Sequence, residues 1–197
     1  MPDAPAVNPE PDPRVVVALD TIGLPYELMA CDPELADTAA FCAAYGVPPE
    51  RSANTIVVSS KRPEGRRAVC VVLATNRLDV NGEVRRRLGV KKASFASPEE
   101  TVAITGMMIG GVTPFGLPPD IPVWVDSRVM TPDWVILGAG TRRAKVKVAP
   151  VVLAALPAVE VVDGLGLGGS GPGGGPPQQE AVAGEPDDGE GEPLDRV

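Results

Sequence analysis

Apolar and polar positions repeat with two periods along this chain, and the switches between them mark a series of short elements. Val15–Ile22 reads as a helix closed by Gly23, and Tyr26–Ala30 as a strand. Asp32-Pro33-Glu34 supplies a cap, a proline for the first turn and an acid near the positive dipole end. A helix is therefore predicted from there to Tyr45, stopping at Gly46. Asn54–Ser59 and Ala68–Ala74 are β-branched strands turned at Pro63-Glu64-Gly65. Leu78–Leu88 predicts an Arg-rich helix ended by Gly89, and Ser97-Pro98-Glu99-Glu100 opens another that ends at Gly106. After the glycine-rich run Met107–Gly116 come strands Val123–Val125, Trp134–Leu137 and Ala144–Val148, a short helix Pro150–Leu156 and a strand Val159–Val162. Hairpin-like pairs dominate. The predicted fold is mixed α/β, a twisted, mostly antiparallel mixed sheet surrounded by short helices in a single domain, and an all-parallel Rossmann-type sheet is disfavoured.

A length of 197 residues allows one such domain with appendages. Residues 1–13 are Pro-rich and acidic and predict a disordered arm; 14–163 form the globule; 164–197 predict a disordered, acidic Gly/Pro-rich tail. Gly164, Gly166 and Gly169 formally match a dinucleotide-binding glycine pattern, but no helix-forming sequence follows, so the match is accidental. The net charge of −8 belongs to the ends: residues 14–164 hold 16 acids against 17 bases. Those bases cluster at Lys61–Arg67, at Arg85, Arg86, Arg87, Lys91 and Lys92, and at Arg142, Arg143, Lys145 and Lys147. Meeting on one face they would bind a polyanion; apart, they are solvated tips and helix faces.

Histidine is absent, which excludes Ser-His-Asp and Cys-His catalysis and every His-ligated metal site. Cys31, Cys42 and Cys70 form no CxxC pair and read as free, buried thiols in a reducing compartment. No cofactor or metal is implied. Neither a secretory leader nor an apolar run long enough to span a bilayer is visible, so a soluble, cytoplasmic protein with no membrane partner is expected.

Three loops could carry chemistry. In Gly110-Gly111-Val112-Thr113-Pro114-Phe115-Gly116 the paired glycines would let backbone N–H groups approach a ligand, Thr113 adds a hydroxyl and Pro114 stiffens the turn. Gly138-Ala139-Gly140, with Arg142 and Arg143 after it, could hold a phosphate or a carbonyl oxygen. Asp126, at a strand end, could orient a substrate amine. Tight turns packed on a sheet, solvated arginines and a capping carboxylate explain the same residues equally well.

Leu88–Lys92, Ser97–Glu100, Thr105-Gly106, Gly110–Gly116, Val123–Asp126 and Gly138–Lys145 together, and in this order, resemble segments of the YbaK/ProX family. Its members are aminoacyl-tRNA deacylases that edit mischarged tRNA in trans or as a domain inserted in prolyl-tRNA synthetase. The resemblance spans about residues 14–163. It implies a YbaK-like fold and a pocket for the aminoacyl group on the tRNA acceptor end, with a synthetase as a further partner. The activity implied is hydrolysis of the ester of a small noncognate amino acid such as alanine, cysteine or serine. Asn54, Gly110 and Gly111 become the candidate catalytic positions. Thr113, Pro114, Phe115, Asp126, Gly138, Gly140 and Lys145 become candidate substrate contacts. Arg85, Arg86, Lys91, Lys92, Arg142 and Arg143 become candidate tRNA contacts. Asn54 stands where the family usually carries a pocket lysine, so a non-catalytic module that grips tRNA or its aminoacyl group is the alternative.

Overall fold

The computed structural model describes residues 8–157 and 159–168. In chain order the elements are α1 (Pro13–Ile22), β1 (Tyr26–Ala30), α2 (Thr38–Tyr45), β2 (Ala53–Ser59), β3 (Arg67–Leu73), β4 (Asn76–Leu78), α3 (Arg85–Leu88), β5 (Ser94–Phe95), α4 (Pro98–Thr105), β6 (Val123–Asp126), β7 (Val135–Gly138), β8 (Ala144–Val148), α5 (Val151–Ala154), β9 (Val159–Val162) and β10 (Gly166–Gly168). The mixed α/β architecture agrees with the sequence reading, but the strands divide among separate sheets. A five-stranded sheet runs β5-β2-β3-β6-β9, antiparallel from β5 to β3 and parallel from β3 to β9. An antiparallel sheet β1-β8-β7 joins it through one bridge, Ser52 to Ile136, and β4 pairs β10 as a ribbon.

Both faces of the five-stranded sheet are covered, which explains the unbroken apolar run of β3. Val57, Val69, Val71, Val123 and Val125 face the three-stranded sheet and α1, meeting Val15, Leu19, Phe115, Leu137 and Val146. Ile56, Cys70, Val72 and Trp124 face the opposite way, onto Val84, Leu88 and Leu165.

Four expectations need correction. The helix from Asp32 to Tyr45 is broken: Asp32 caps a single 3-10 turn, Pro33–Leu35, and the chain restarts as α2 after an extended Asp37. A competing bond explains the break, because the Ala36 carbonyl accepts from the Lys145 ammonium. The Leu78–Leu88 helix shrinks because Leu78 ends β4 and Asp79 draws the amides of Gly82 and Glu83 into a wide π-turn, Val80–Val84, before α3. The arm is docked in its described part: Pro13 already belongs to α1, the Asp12 amide donates to Ala139, and the Thr141 hydroxyl donates to the Glu10 carbonyl. Residues 164–168 do not belong to the expected tail, since Leu165 is fully buried and Gly166–Gly168 pair with β4. Low-complexity composition gives no sign of these bonds, because they depend on which backbone groups a neighbouring loop leaves free. The remaining expectations for residues 1–7 and 169–197 lie outside the described residues.

Candidate active site

A cavity of about 1110 Å³ opens between the start of β2, the link from the 3-10 turn to α2, the loop at Ile109–Val112 and the facing ends of β7 and β8. Asn54, Gly110, Gly138, Arg142 and Lys145 all border it. Its walls are mainly apolar, with Phe41, Cys42, Val57 and Leu137 among them.

Asn54 is 8% exposed. Its Oδ1 accepts from the Thr38 hydroxyl at 2.5 Å, while its Nδ2 is buried without a protein partner. Lys145 sits opposite Gly138 on the β7–β8 ladder and is 6% exposed. Its ammonium donates to the carbonyls of Ala36 at 2.6 Å and Gly110 at 3.0 Å, and lies 5.4 Å from the Phe41 ring centre. Burial lowers its pKa from the ordinary lysine value, against the opposing pull of Cys31 and Asp37. The strand pattern carried a signal for this residue. Ala144, Val146 and Val148 fill one face of β8, so Lys145 and Lys147 share the other. Lys147 reaches Glu27 at the surface, and only the tertiary packing shows that Lys145 does not reach solvent.

Arg142 also borders the cavity, but not as a free cation. Its guanidinium donates to Pro33 at 2.9 Å and to Ile109 at 3.3 Å, and lies 3.7 Å from the Asp37 carboxylate, so it braces two walls.

The two glycine segments meet. Gly111 donates to Met108 at 2.9 Å, Gly140 donates to Gly111 at 2.7 Å, and Met108 donates back to Gly140 at 3.1 Å. A Cβ on Gly111 would collide with the Thr141 backbone, and one on Gly138 with the Gly111 and Val112 carbonyls. These glycines therefore permit a close crossing of two backbones; the Gly140 amide is spent on it and the Gly111 amide on a turn within its own loop.

Other candidate residues sit elsewhere. Gly111, Gly140, Thr113, Pro114 and Phe115 do not line the cavity; Thr113 and Phe115 are fully buried, Phe115 within the core around Val15. Asp126 is also fully buried and away from the cavity, where it pairs with Arg128 at 2.7 Å and accepts the Gly166 amide at 2.7 Å. Burial pushes its carboxyl up, but Arg128 and the amides of Gly166 and Arg128 outweigh this and hold it below the ordinary value. It caps the turn after β6, as the capping alternative has it. Cys31 and Cys42 have raised pKa values because burial disfavours the thiolate, and Cys70 more so.

Arg85, Lys91 and Lys92 are exposed around α3, Arg86 and Arg87 pair with Glu83, and Arg87 also reaches Glu160. Arg143 is exposed beside the β7–β8 turn, 3.8 Å from Glu10. Among the described residues no group of His, Cys, Asp or Glu could hold a metal ion, and no helix is long and apolar enough to cross a membrane.

Comparison with known proteins places this cavity in a family context. Residues 32–156 match the aminoacyl-tRNA editing domain. The uncharacterized protein YwhH of Bacillus subtilis (strain 168) is 34% identical over 109 residues, which are 51% of this chain and 69% of that protein. The crystal structure of the hypothetical protein APE2540 superposes with a TM-score of 0.67 at 28% identity, covering 76% of this chain and 97% of the other. That of a proposed trans-editing enzyme for prolyl tRNA synthetase gives 0.66, also at 28% identity, covering 76% and 93%.

Proposed function

Because the chain belongs to the aminoacyl-tRNA editing domain family, we propose that it hydrolyses the ester of a mischarged tRNA in trans, releasing a small noncognate amino acid. The observation that carries this reading is the convergence of Asn54, Gly110, Gly138 and Lys145 on one cavity large enough for an aminoacylated terminal nucleoside. An aminoacyl ester is already activated. Holding water against its carbonyl, beside donors for the developing charge, supplies much of what hydrolysis needs, and no imidazole is required. Such an activity answers a limit on discrimination: a synthetase pocket separates amino acids that differ by a methylene by only about 1–3 kcal/mol. The exposed cations Arg85, Lys91, Lys92 and Arg143 are the surface groups we assign to the tRNA backbone, and an aminoacyl-tRNA synthetase is the partner this chemistry would serve.

Incubating the full chain with a panel of mischarged tRNAs tests the reading. Loss of the aminoacyl group above the spontaneous rate on at least one tRNA is expected; none on any would reject it. The second reading, a module that binds without hydrolysis, is motivated by the uncharged Asn54. Activity that appears only on Asn54→Lys substitution would favour that module.

A further inference from the structure

We propose that the Lys145 ammonium and the Asn54 carboxamide together hold the carbonyl oxygen of the substrate ester and carry its negative charge during hydrolysis. This rests on the deacylase reading above and assigns the charge stabilisation to side chains.

Two of the glycine-loop amides are already committed to backbone acceptors. The Gly111 amide is bonded to Met108 and the Gly140 amide to Gly111, and Gly110 turns its carbonyl toward Lys145. Side chains at the cavity offer further donors. Asn54 borders the cavity, and its buried Nδ2 has no protein acceptor. An ammonium has three N–H bonds, and Lys145 places two on Ala36 and Gly110, so one remains.

The two groups are fastened to one short stretch of wall. Lys145 holds the Ala36 carbonyl and Asn54 holds the Thr38 hydroxyl. Residues two apart in a chain have Cα atoms separated by at most about 7 Å. No carboxylate bonds the ammonium directly: the Asp37 carboxylate lies against Arg142, and burial raises the pKa of the Cys31 and Cys42 thiols. A buried cation whose protein acceptors are both neutral carbonyls favours a ligand on which negative charge develops.

The step balances with water as the only co-reactant. A lone pair of the water oxygen forms the new bond to the carbonyl carbon, and the π pair moves onto the oxygen held by Lys145 and Asn54. That pair then re-forms the double bond, the ester C–O bond breaks, and the departing ribose oxygen takes up the proton that the water gives away. Lys145 gives up no proton in this step.

The test uses the full chain on whichever tRNA of the panel it deacylates; absence of any substrate is a failure of the deacylase reading itself, scored there. On that substrate, Lys145→Met keeps the apolar stem and removes the charge. The kcat should fall about 100-fold or more with KM changed less than threefold. Asn54→Ala should lower kcat about tenfold, again with little change in KM. Ethylammonium added to Lys145→Ala should restore part of the lost rate, a result that a purely structural lysine would not give. Wild-type kcat in Lys145→Met, or a loss found wholly in KM, overturns the proposal. Should that variant not fold, an unchanged kcat in Asn54→Ala overturns it instead.

Discussion

Asp126 and Lys145 are both buried charged residues in strands of the same domain, yet only Lys145 borders the cavity. Asp126 spends its acceptor capacity on Arg128 and on the Gly166 amide, so it acts on the fold. Asp126→Asn should lower stability by roughly 3 kcal/mol, the scale of a broken buried pair, while leaving ester hydrolysis per folded molecule unchanged. The pH dependence is set by its lowered pKa. A carboxylate depressed in the folded state adds stability above its unfolded pKa of about 3.9, and that stability is lost as pH falls through the folded value. Chemical denaturation at neutral pH and near pH 3 should therefore show a smaller acid-induced loss for Asp126→Asn than for the wild type. The three cysteines give a second residue-scale expectation. Buried thiols with raised pKa values should resist iodoacetamide at neutral pH in the folded protein and react fully in denaturant, as mass spectrometry would show.

Elements in this protein are short, and their ends are settled by neighbours. Ser97 and Glu100 form a capping box on α4, and the sequence announces it because donor and acceptor lie three residues apart. The break between Pro33–Leu35 and α2 carries no such local mark, since the competing donor, Lys145, is 109 residues away. The glycine crossing is likewise an element-scale device. Gly111→Ala and Gly138→Ala each push a methyl group into backbone that cannot yield, and each should cost about 1–3 kcal/mol by thermal or urea unfolding and disturb the cavity wall. An unchanged melting temperature in both would refute that account of the crossing.

Across the whole molecule, charge and chain ends decide the expected behaviour toward nucleic acid. With the exposed Arg85, Lys91 and Lys92 meeting phosphates, log affinity for tRNA should fall with log salt by about 0.7 to 0.9 per phosphate neutralised. Replacing Lys91 and Lys92 should flatten that slope, which filter binding over a salt series would measure. Arg142, tied to Pro33, Ile109 and Asp37, should leave the slope unaltered when replaced and change catalysis instead. Truncation tests the contribution of β10. A chain ending at Asp163 should be about 2 kcal/mol or more less stable than one ending at Gly168, because it lacks the buried Leu165 and the β10 strand.

The amino-acid sequence by itself determined the alternation of strands and short helices, the caps built from adjacent residues, and the absence of imidazole chemistry. These depend on period, on near neighbours or on composition, all of which one dimension records. It also placed Asn54, Gly110, Gly138 and Lys145 among the candidates, through ordered motifs whose spacing survives in the chain. Tertiary structure alone decided which of them share a cavity. It tied the Gly140 amide into a backbone crossing and the Gly111 amide into a turn of its own loop, sent Asp126 to a cap, and left Asn54 Nδ2 without a protein acceptor. The physical reason is that a hydrogen-bonding group serves the partner that reaches it first in space, and the partners of Ala36, Gly166 and Asp12 lie in distant parts of the chain.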